Sequence, residues 1–456
     1  MSFEPPMVRL DSVAQINPRR KVSKGNSVPF IDMAALPQNS RDISYSDVVL
    51  REVKGAGAHF QNGDTLLARI TPCLENGKTA QVRQLKTGEV GEGSTEFITL
   101  CGIEPTDNDY VYYLCRDPVF REYAIGRMEG TSGRQRVSWQ SIAAYEFICP
   151  GPLERRAAAR ALGALDDRIT LLRETNATLE AIAQALFKSW FVDFDPVRAN
   201  MARRSREGGN PEAGGACDAL DPRLRGNDGT GMDEATAALF PDGFEESALG
   251  LVPRGWRVGT LANLAEFQNG YAFKSKDWVN FGHPVVKIGD VKPGIIDFAG
   301  CSFVTPATTS GLDRFRLQRG NLLVGMTGYV GETGLVAEVE PAAYLNQRVG
   351  RIATARGMHD GGFVYCLVRN TDFKAYAEAQ SQGSAQANVS GSALLNYDSI
   401  LPPADAYSKF NDLMHPILET ILSNHEQAQT LATLRDTLLP RLISGQLRLP
   451  EPCRSG

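Results

Sequence analysis

The sequence predicts an α+β protein in which two similar globular domains are separated by two long helices. We expect these helices to pair as an antiparallel coiled coil, with a pseudo-twofold axis relating the two halves. Residues 153–191 carry apolar side chains at alternating spacings of three and four, the heptad pattern of a coiled coil. The same pattern returns 252 residues later, where Met414 corresponds to Leu162. Short apolar runs, interrupted by Gly, Pro, Asn and Asp, precede each helix and predict the globular domains.

The apolar seam of each predicted helix contains one asparagine, Asn176 in the first and Asn424 in the second. A polar residue in such a seam commonly sets the register of two helices. Two ordinary amphipathic core helices are the alternative interpretation. The first seam comprises Leu162, Leu165, Ile169, Leu172, Asn176, Leu179, Ala183, Leu186 and Trp190, and the second comprises Met414, Ile417, Ile421, Asn424, Ala428, Leu431, Arg435, Leu438 and Leu442.

The order of segments along the chain is domain, helix, domain, helix. An antiparallel pair places the end of the first helix near the start of the second, where the second domain must attach. A parallel pair would require residues 197–255 to run back along the helices, and their length does not exclude it. The predicted segments are 1–150 for the first domain, 151–196 for the first helix, 197–239 for a flexible Gly- and Arg-rich linker or insertion, 240–402 for the second domain and 403–450 for the second helix.

The second domain repeats the first at an offset between 251 and 257 residues. Leu261–Phe267 corresponds to Leu10–Ile16, and Phe363–Arg369 corresponds to Tyr110–Arg116. The matching positions are apolar or glycine, whereas the residues between them differ. This pattern is typical of one scaffold that carries two different binding surfaces.

Composition excludes some classes of protein. The chain has 456 residues and a net charge of −5, which argues against a general coat for polyanions but permits a local basic cleft. The eight cysteines form no C-x-x-C pair, and Cys101, Cys115, Cys149 and Cys366 are expected to be buried thiols. We expect a cytoplasmic protein without membrane spans, since no hydrophobic signal core and no window of 18 apolar residues occurs.

No catalytic motif is found, and we expect no metal site. Residues 76–79 resemble the end of a phosphate-binding loop, but Pro72 occupies the position of its first glycine. The histidines show no metal-binding spacing, and Asp166 with Asp167 is interpreted as a solvated face rather than a metal site. The absence of a catalytic arrangement favours a binding role.

Candidate DNA-binding residues lie in loops that occupy corresponding places in the two domains. Arg, Lys, Asn and Gln are the side chains that contact guanine and adenine edges in the major groove. Charged surface loops without a ligand are the alternative. In the first domain the candidates are Arg19, Arg20, Lys21, Lys24, Arg134, Gln135 and Arg136; in the second they are Asn269, Tyr271, Phe273, Lys274, Ser275, Lys276, Gln386 and Asn388.

Four stretches make the whole chain similar to the specificity (S) subunit of type I restriction–modification systems, and they are residues 185–197, 239–256, 269–275 and 438–447. The resemblance implies two target-recognition domains, each reading one half of a bipartite, asymmetric site on double-stranded DNA. It also implies that the helices set the spacing between the two half-sites. The segment 200–235 is longer and richer in Gly and Arg than the usual join of this family.

The resemblance further implies partners that hold the cofactors. Two modification subunits would bind S-adenosylmethionine and methylate adenine, and restriction subunits would use ATP and Mg²⁺ for translocation. This chain would then be a non-catalytic subunit without a cofactor of its own. The helix ends would dock these partners, although the same residues could instead complete the helix packing; they are Leu186, Phe187, Trp190, Phe191, Leu438, Leu439 and Leu442.

Two alternatives to DNA specificity stay open at this point. A coiled-coil scaffold that joins proteins and never touches DNA would show the same helices and repeats. An enzyme with an unrecognised site is disfavoured by the missing motifs.

Overall fold

The computed structural model describes residues 6–449 except 54, 56, 132, 208–231 and 382–387. Contacts divide the chain into two compact units. Unit 1 comprises Met1–Arg173 and Gln427–Gly456, and unit 2 comprises Glu174–Glu426. Each long helix therefore contributes one part to each unit.

Two helices of 40 residues dominate the secondary structure, and both were predicted. Helix α4 spans Pro152–Phe191 and helix α10 spans Ala404–Ile443. Each is roughly 60 Å long at the helical rise. Helix α4 ends before the expected boundary at 196, because Phe194 adopts a left-handed backbone with φ 55° and redirects the chain.

Within each unit the helices pair antiparallel. In unit 1, Asp166 contacts Arg435, while Ile169 and Leu172 pack with Ala428. In unit 2, Asn176 bonds Asn424, and the ring centroids of Phe187 and Phe410 lie 6.0 Å apart. The contacts therefore run in opposite directions along the two helices, as expected from the order of domains and helices.

Unit 1 places two four-stranded sheets next to short helices. One sheet has the order β2-β9-β6-β7 and the other has the order β4-β3-β8-β5. The strands are β1 Met7–Arg9, β2 Ala14–Ile16, β3 Ser27–Ile31, β4 Val49–Glu52, β5 Ala58–Phe60, β6 Thr65–Ala68, β7 Thr79–Gln81, β8 Gly91–Gly93, β9 Phe97–Gly102, β10 Met128–Glu129, β11 Arg136–Val137 and β12 Glu146–Ile148; the short helices are α1 Asn108–Arg116, α2 Pro118–Gly126 and α3 Trp139–Ala143.

Unit 2 contains counterparts of many of these elements and several additional ones. They are α5 Asp195–Glu207, α6 Glu234–Ala237, β13 Phe244–Ser247, β14 Gly250–Pro253, β15 Arg257–Thr260, β16 Glu266–Asn269, β17 Trp278–Val279, β18 His283–Val286, β19 Gly294–Ile295, β20 Ser302–Val304, β21 Leu322–Gly325, β22 Thr333–Leu335, β23 Tyr344–Leu345, β24 Val349–Ala353, α7 Gly362–Val368, α8 Thr371–Gln380, α9 Gly391–Leu395 and β25 Asp398–Leu401.

The two units share a topology, which the sequence repeat predicted. The sheet β2-β9-β6-β7 of unit 1 corresponds to β16-β24-β21-β22 of unit 2, where β19 adds a fifth strand. The parallel pair β3–β8 corresponds to the parallel pair β18–β23. The terminal pairs β1–β12 and β15–β25 are both antiparallel. The apolar positions that recur in the sequence therefore form the same sheets twice.

The predicted linker over 197–239 is wrong for part of its length. Residues 197–207 belong to helix α5, and Glu234–Ala237 forms helix α6. Val197 is fully buried, and the side-chain amide of Asn200 donates to the carbonyls of Ala237 and Phe240 at 2.9 and 2.8 Å. These contacts order a segment whose composition alone indicates a linker. Residues 208–231, which make up much of the prediction, lie outside the described residues.

Candidate nucleic-acid interface

Three backbone segments of unit 1 lie close together around the ends of strands β2 and β9. We call residues 17–24 loop A, residues 94–97 turn B and residues 130–136 loop C. Loop A is attached to β9 by a hydrogen bond from the Asn17 amide to the Thr99 carbonyl at 2.7 Å. Turn B closes with the Phe97 amide donating to the Ser94 carbonyl at 3.2 Å.

The backbone of Arg69 connects turn B to Val137, the residue that follows loop C. Its amide donates to the carbonyl of Glu96 at 3.0 Å, and its carbonyl accepts from the amide of Val137 at 2.9 Å. Because these are backbone bonds, the side chains of turn B and loop C remain available for other contacts.

Unit 2 builds loop A and turn B from different residues, and the described end of its third segment lies in the place of loop C. Loop A corresponds to residues 269–276, turn B to 346–349 and loop C to 383–388, of which only Asn388 is described. The connecting residue is Met326, whose amide donates to the Arg348 carbonyl at 3.1 Å and whose carbonyl accepts from the Val389 amide at 2.9 Å. The two units therefore present equivalent surfaces that differ in side-chain chemistry.

In loop A of unit 1 the cations differ in their environment. Arg19, Lys21 and Lys24 are exposed. Arg20 instead donates from Nη2 to Oδ1 of Asp64 at 2.7 Å, and the Asp64 side chain is 1% exposed. Burial raises the pKa of Asp64, although Arg20 and the Gln61 amide act against this shift. Arg20 therefore neutralises an internal carboxylate, whereas its three neighbours face solvent.

In loop C of unit 1, Arg136 is held by a carboxylate. Its Nε donates to Oε2 of Glu96 at 2.9 Å and its Nη2 donates to Oε1 at 2.7 Å, while Nη1 donates to the Arg134 carbonyl at 3.2 Å. The hydrogen bonds to Glu96 raise the pKa of Arg136. Arg134 is exposed, and Gln135 is half-buried, with its carbonyl accepting from the Thr71 amide at 3.0 Å. Arg134 thus presents the more available guanidinium.

In loop A of unit 2 the aromatic residues belong to the domain core. Phe273 is 8% exposed, and its ring centroid lies 5.0 Å from that of Tyr271, which in turn lies 5.4 Å from Phe315. The prediction that Phe273 contacts DNA is therefore wrong, because its ring is enclosed by other side chains. The exposed candidates in this loop are Asn269, Lys274, Ser275 and Lys276, and Tyr271 is half-buried.

In loop C of unit 2, Asn388 is exposed and lies beside Thr327. Its Oδ1 accepts a hydrogen bond from the Thr327 hydroxyl at 2.9 Å, which fixes the orientation of the side chain. The other candidate in this loop, Gln386, lies outside the described residues.

The residues predicted to dock partner subunits are mostly internal. Phe187, Trp190 and Phe191 are 3–5% exposed in the core of unit 2, and Leu439 and Leu442 are each 3% exposed in the core of unit 1. These five side chains complete the packing of their own units, so the docking prediction is wrong for them. Leu186 and Leu438 are half-buried against the same cores.

Sequence reasoning missed one buried ion pair. Asp166 and Arg435 are 3% and 4% exposed, and the Tyr113 hydroxyl also donates to Asp166 at 2.6 Å. The interpretation of Asp166 as a solvated residue is therefore wrong, whereas Asp167 is 61% exposed and pairs with Arg41 and Arg83. The available signal was Arg435 itself, the one charged residue in an otherwise apolar or amide seam.

Among the described residues, no cluster of three or more His, Cys, Asp or Glu could hold a metal ion. The described helices also include none that is long and apolar enough to cross a membrane. The described cysteines at 101, 115, 149 and 366 are free and buried, as predicted.

A family model defines the class of the second domain. Residues 253–433, which cover turn B and most of unit 2, match the type I restriction modification DNA specificity domain. The repeated topology gives unit 1 the same architecture. The fold is therefore a duplicated domain, and its second copy matches a DNA specificity domain.

Relatives with similarity along most of the chain extend this assignment. The specificity subunit of the type I restriction enzyme HindI from Haemophilus influenzae is 26% identical over 85% of this chain and 87% of its own length. The specificity subunit of the enzyme MjaIX from Methanocaldococcus jannaschii is 24% identical over 75% of this chain and 70% of its own length. Together, the family model and these relatives indicate a specificity subunit of the type I restriction–modification family.

A solved structure supports the fold. The crystal structure of a type I restriction–modification S subunit from M. genitalium has a TM-score of 0.52 and 13% sequence identity, and the similarity covers 96% of this chain and 95% of that one.

Proposed function

We propose that each unit reads one half of a bipartite, asymmetric site on double-stranded DNA, and that α4 and α10 set the distance between the halves. One observation carries this proposal: in the described residues, the chain builds loop A and turn B twice on one scaffold, with different side chains. A single scaffold with two sets of exposed polar residues is suited to reading two different sequences.

The exposed residues of these surfaces have the chemistry that DNA requires. Arg134 can donate two hydrogen bonds to guanine, and Asn269 and Asn388 can pair with adenine. Arg19, Lys21, Lys24, Lys274 and Lys276 are exposed cations suited to phosphates. The net charge of −5 is compatible with binding because the local field at these loops guides the DNA.

We further propose that the chemistry of the system lies in other subunits. Two modification subunits would hold S-adenosylmethionine and methylate adenine, and restriction subunits would use ATP and Mg²⁺. This chain would supply the recognition of the DNA sequence and no catalytic group. The relatives support this division, since they are named as the specificity subunits of restriction enzymes.

The test first identifies the recognition sequence and then replaces each half-site separately. Methylated adenines in the host genome give the recognition sequence, and a gel shift with the assembled complex measures binding to it. We expect replacement of either half-site to weaken binding, and Arg134→Ala to weaken binding through the unit 1 half only. Binding that is independent of both halves would instead favour a protein scaffold without a reading function.

A further inference from the structure

Turn B of unit 2 lies between the two loops that carry the predicted DNA contacts. On one side, the Gln347 amide donates to the carbonyl of Tyr271 in loop A at 2.9 Å. On the other side, the Arg348 carbonyl accepts from Met326, whose neighbour Thr327 pairs with Asn388 of loop C. Turn B is therefore the central segment of this surface, although no residue in it was a candidate from sequence.

The backbone of this turn is held rigidly. The Asn346 amide donates to the Val286 carbonyl at 3.2 Å, and the Val349 amide closes the turn onto the Asn346 carbonyl at 3.0 Å. Buried strand residues follow directly, since Val349 is 0% exposed. A side chain mounted on such a turn loses less conformational freedom on binding than one on a mobile loop.

The two residues at the tip of the turn, Gln347 and Arg348, are both exposed. In the described part of the chain, neither side chain makes a hydrogen bond or ion pair. A guanidinium and an amide that are exposed, unpaired and rigidly mounted are suited to contact the base edges of DNA. Arginine pairs with the O6 and N7 atoms of guanine, and glutamine pairs with the N6 and N7 atoms of adenine.

The equivalent turn of unit 1 has the opposite charge. Glu96 occupies the position of Arg348, as the bonds from Arg69 and Met326 show. Glu96 does not present a cation to DNA but holds Arg136 of loop C. Arg348 thus lies in turn B of unit 2, whereas unit 1 carries the exposed Arg134 in loop C.

We infer that Gln347 and Arg348 are base-reading residues of unit 2, with Arg348 contacting guanine and Gln347 contacting adenine. This inference rests on the proposed function of unit 2 and adds a third reading segment to it. It also accounts for an asymmetric site, because the two units place their arginines on different segments of the same scaffold.

The test uses the assembled complex and duplexes in which one half-site at a time is replaced. We expect Arg348→Ala to weaken binding to the intact site roughly five- to 150-fold, corresponding to one lost bidentate contact. Binding to DNA that lacks the unit 2 half-site, and to random DNA, should not change. Arg348→Lys should keep binding to random DNA but lose the preference for one base pair, and Gln347→Ala should relax the preference at a second position.

Arg356→Ala is the matched control. Arg356 is also an exposed arginine of unit 2, but it lies beside Asp360, whose carbonyl accepts from Tyr407 of α10. We expect this variant to bind like the wild type.

Two results would overturn the inference alone. Equal losses on specific and random DNA would reassign Arg348 to phosphate contact, and unchanged binding of Arg348→Ala and Gln347→Ala would remove turn B from the interface. A wild-type complex whose binding ignores the unit 2 half-site would overturn the proposed function itself, and the inference with it.

Discussion

Arg435 on helix α10 donates from Nη1 to Oδ1 of Asp166 on helix α4 at 2.6 Å, and both side chains are almost completely buried. Burial lowers the pKa of Arg435, but the carboxylates of Asp436 and Asp166 outweigh burial and raise it overall. The pair therefore remains charged inside unit 1. Tyr113 donates to the second oxygen of Asp166, so the globular part of unit 1 is joined to both helices at one point.

Removing one partner of this pair should be worse than removing both. We expect Arg435→Met to destabilise the chain by about 3–5 kcal/mol, because it leaves the Asp166 carboxylate buried without a cation. The double variant Asp166→Leu with Arg435→Met should recover most of that loss. Urea unfolding of the two single variants and the double variant measures the coupling. Losses that simply add would show that the two charges do not depend on each other.

The Asn176–Asn424 pair should fix the register of the two helices at a cost in folding stability. The Asn424 amide donates to Oδ1 of Asn176 at 2.9 Å, and the Asn176 amide donates to the Ile421 carbonyl at 2.8 Å. Replacing both asparagines by leucine should raise the free energy of unfolding by about 1–3 kcal/mol, from added apolar burial. It should also broaden the spacer lengths that the complex accepts, because a polar contact that defines the register is lost. A spacer preference as narrow as that of the wild type would contradict this role.

Lengthening both helices should lengthen the DNA spacer. One heptad inserted between Arg173 and Glu174, with another between Glu426 and Gln427, adds about 10 Å to each helix. At 3.4 Å per base pair this corresponds to about three base pairs. Methylation of sites with altered spacers provides the measurement, and insertion into one helix only serves as a mismatched control. An unchanged optimum in the doubly extended chain would refute the spacing role.

Glu96 should act by positioning Arg136. We expect Glu96→Gln to reduce discrimination at the unit 1 half-site by about tenfold, because an amide cannot accept two charge-assisted bonds from the guanidinium. Binding to random DNA should strengthen, since one negative charge leaves the surface. Titration of intact, half-replaced and random duplexes separates the two effects. Glu89→Gln, at a half-buried acid outside the three segments, is the control.

Trp190→Ala should destabilise the chain itself rather than only its assembly. Trp190 is 3% exposed, and its ring lies 5.5 Å from that of Phe410. We expect a loss of about 3–5 kcal/mol in the free energy of unfolding of the isolated chain. Ile182→Ala, on the same helix at 44% exposure, should cost far less. Equal stability of Trp190→Ala and the wild type would restore the docking interpretation.

The long helices and the repeat were predictable because both are encoded in local or periodic patterns. The apolar residues of the α4 seam have a spacing that only a helix can align on one face. The same spacing in α10 can be recognised from the sequence without knowing any contact. The corresponding loops A and C were found in the same way, by their constant offset. Helix α5 was not predicted. Its order depends on the hydrogen bond from Asn200 to the Phe240 carbonyl, and a Gly- and Arg-rich composition gives no sign of that bond.

The character of individual polar and aromatic residues depended on distant neighbours. Asp166 and Asp167 are alike in sequence, yet only Asp166 faces Arg435, 269 residues away, and becomes buried. Phe273 directly precedes Lys274 but is enclosed by Tyr271 and Trp278. Gln347 and Arg348 form no motif, and only the hydrogen bonds of folded strands bring them between loops A and C. The periodicity of the sequence specifies which face of an element is apolar. The contact partner of an individual charged or aromatic side chain is determined only when separate elements pack together.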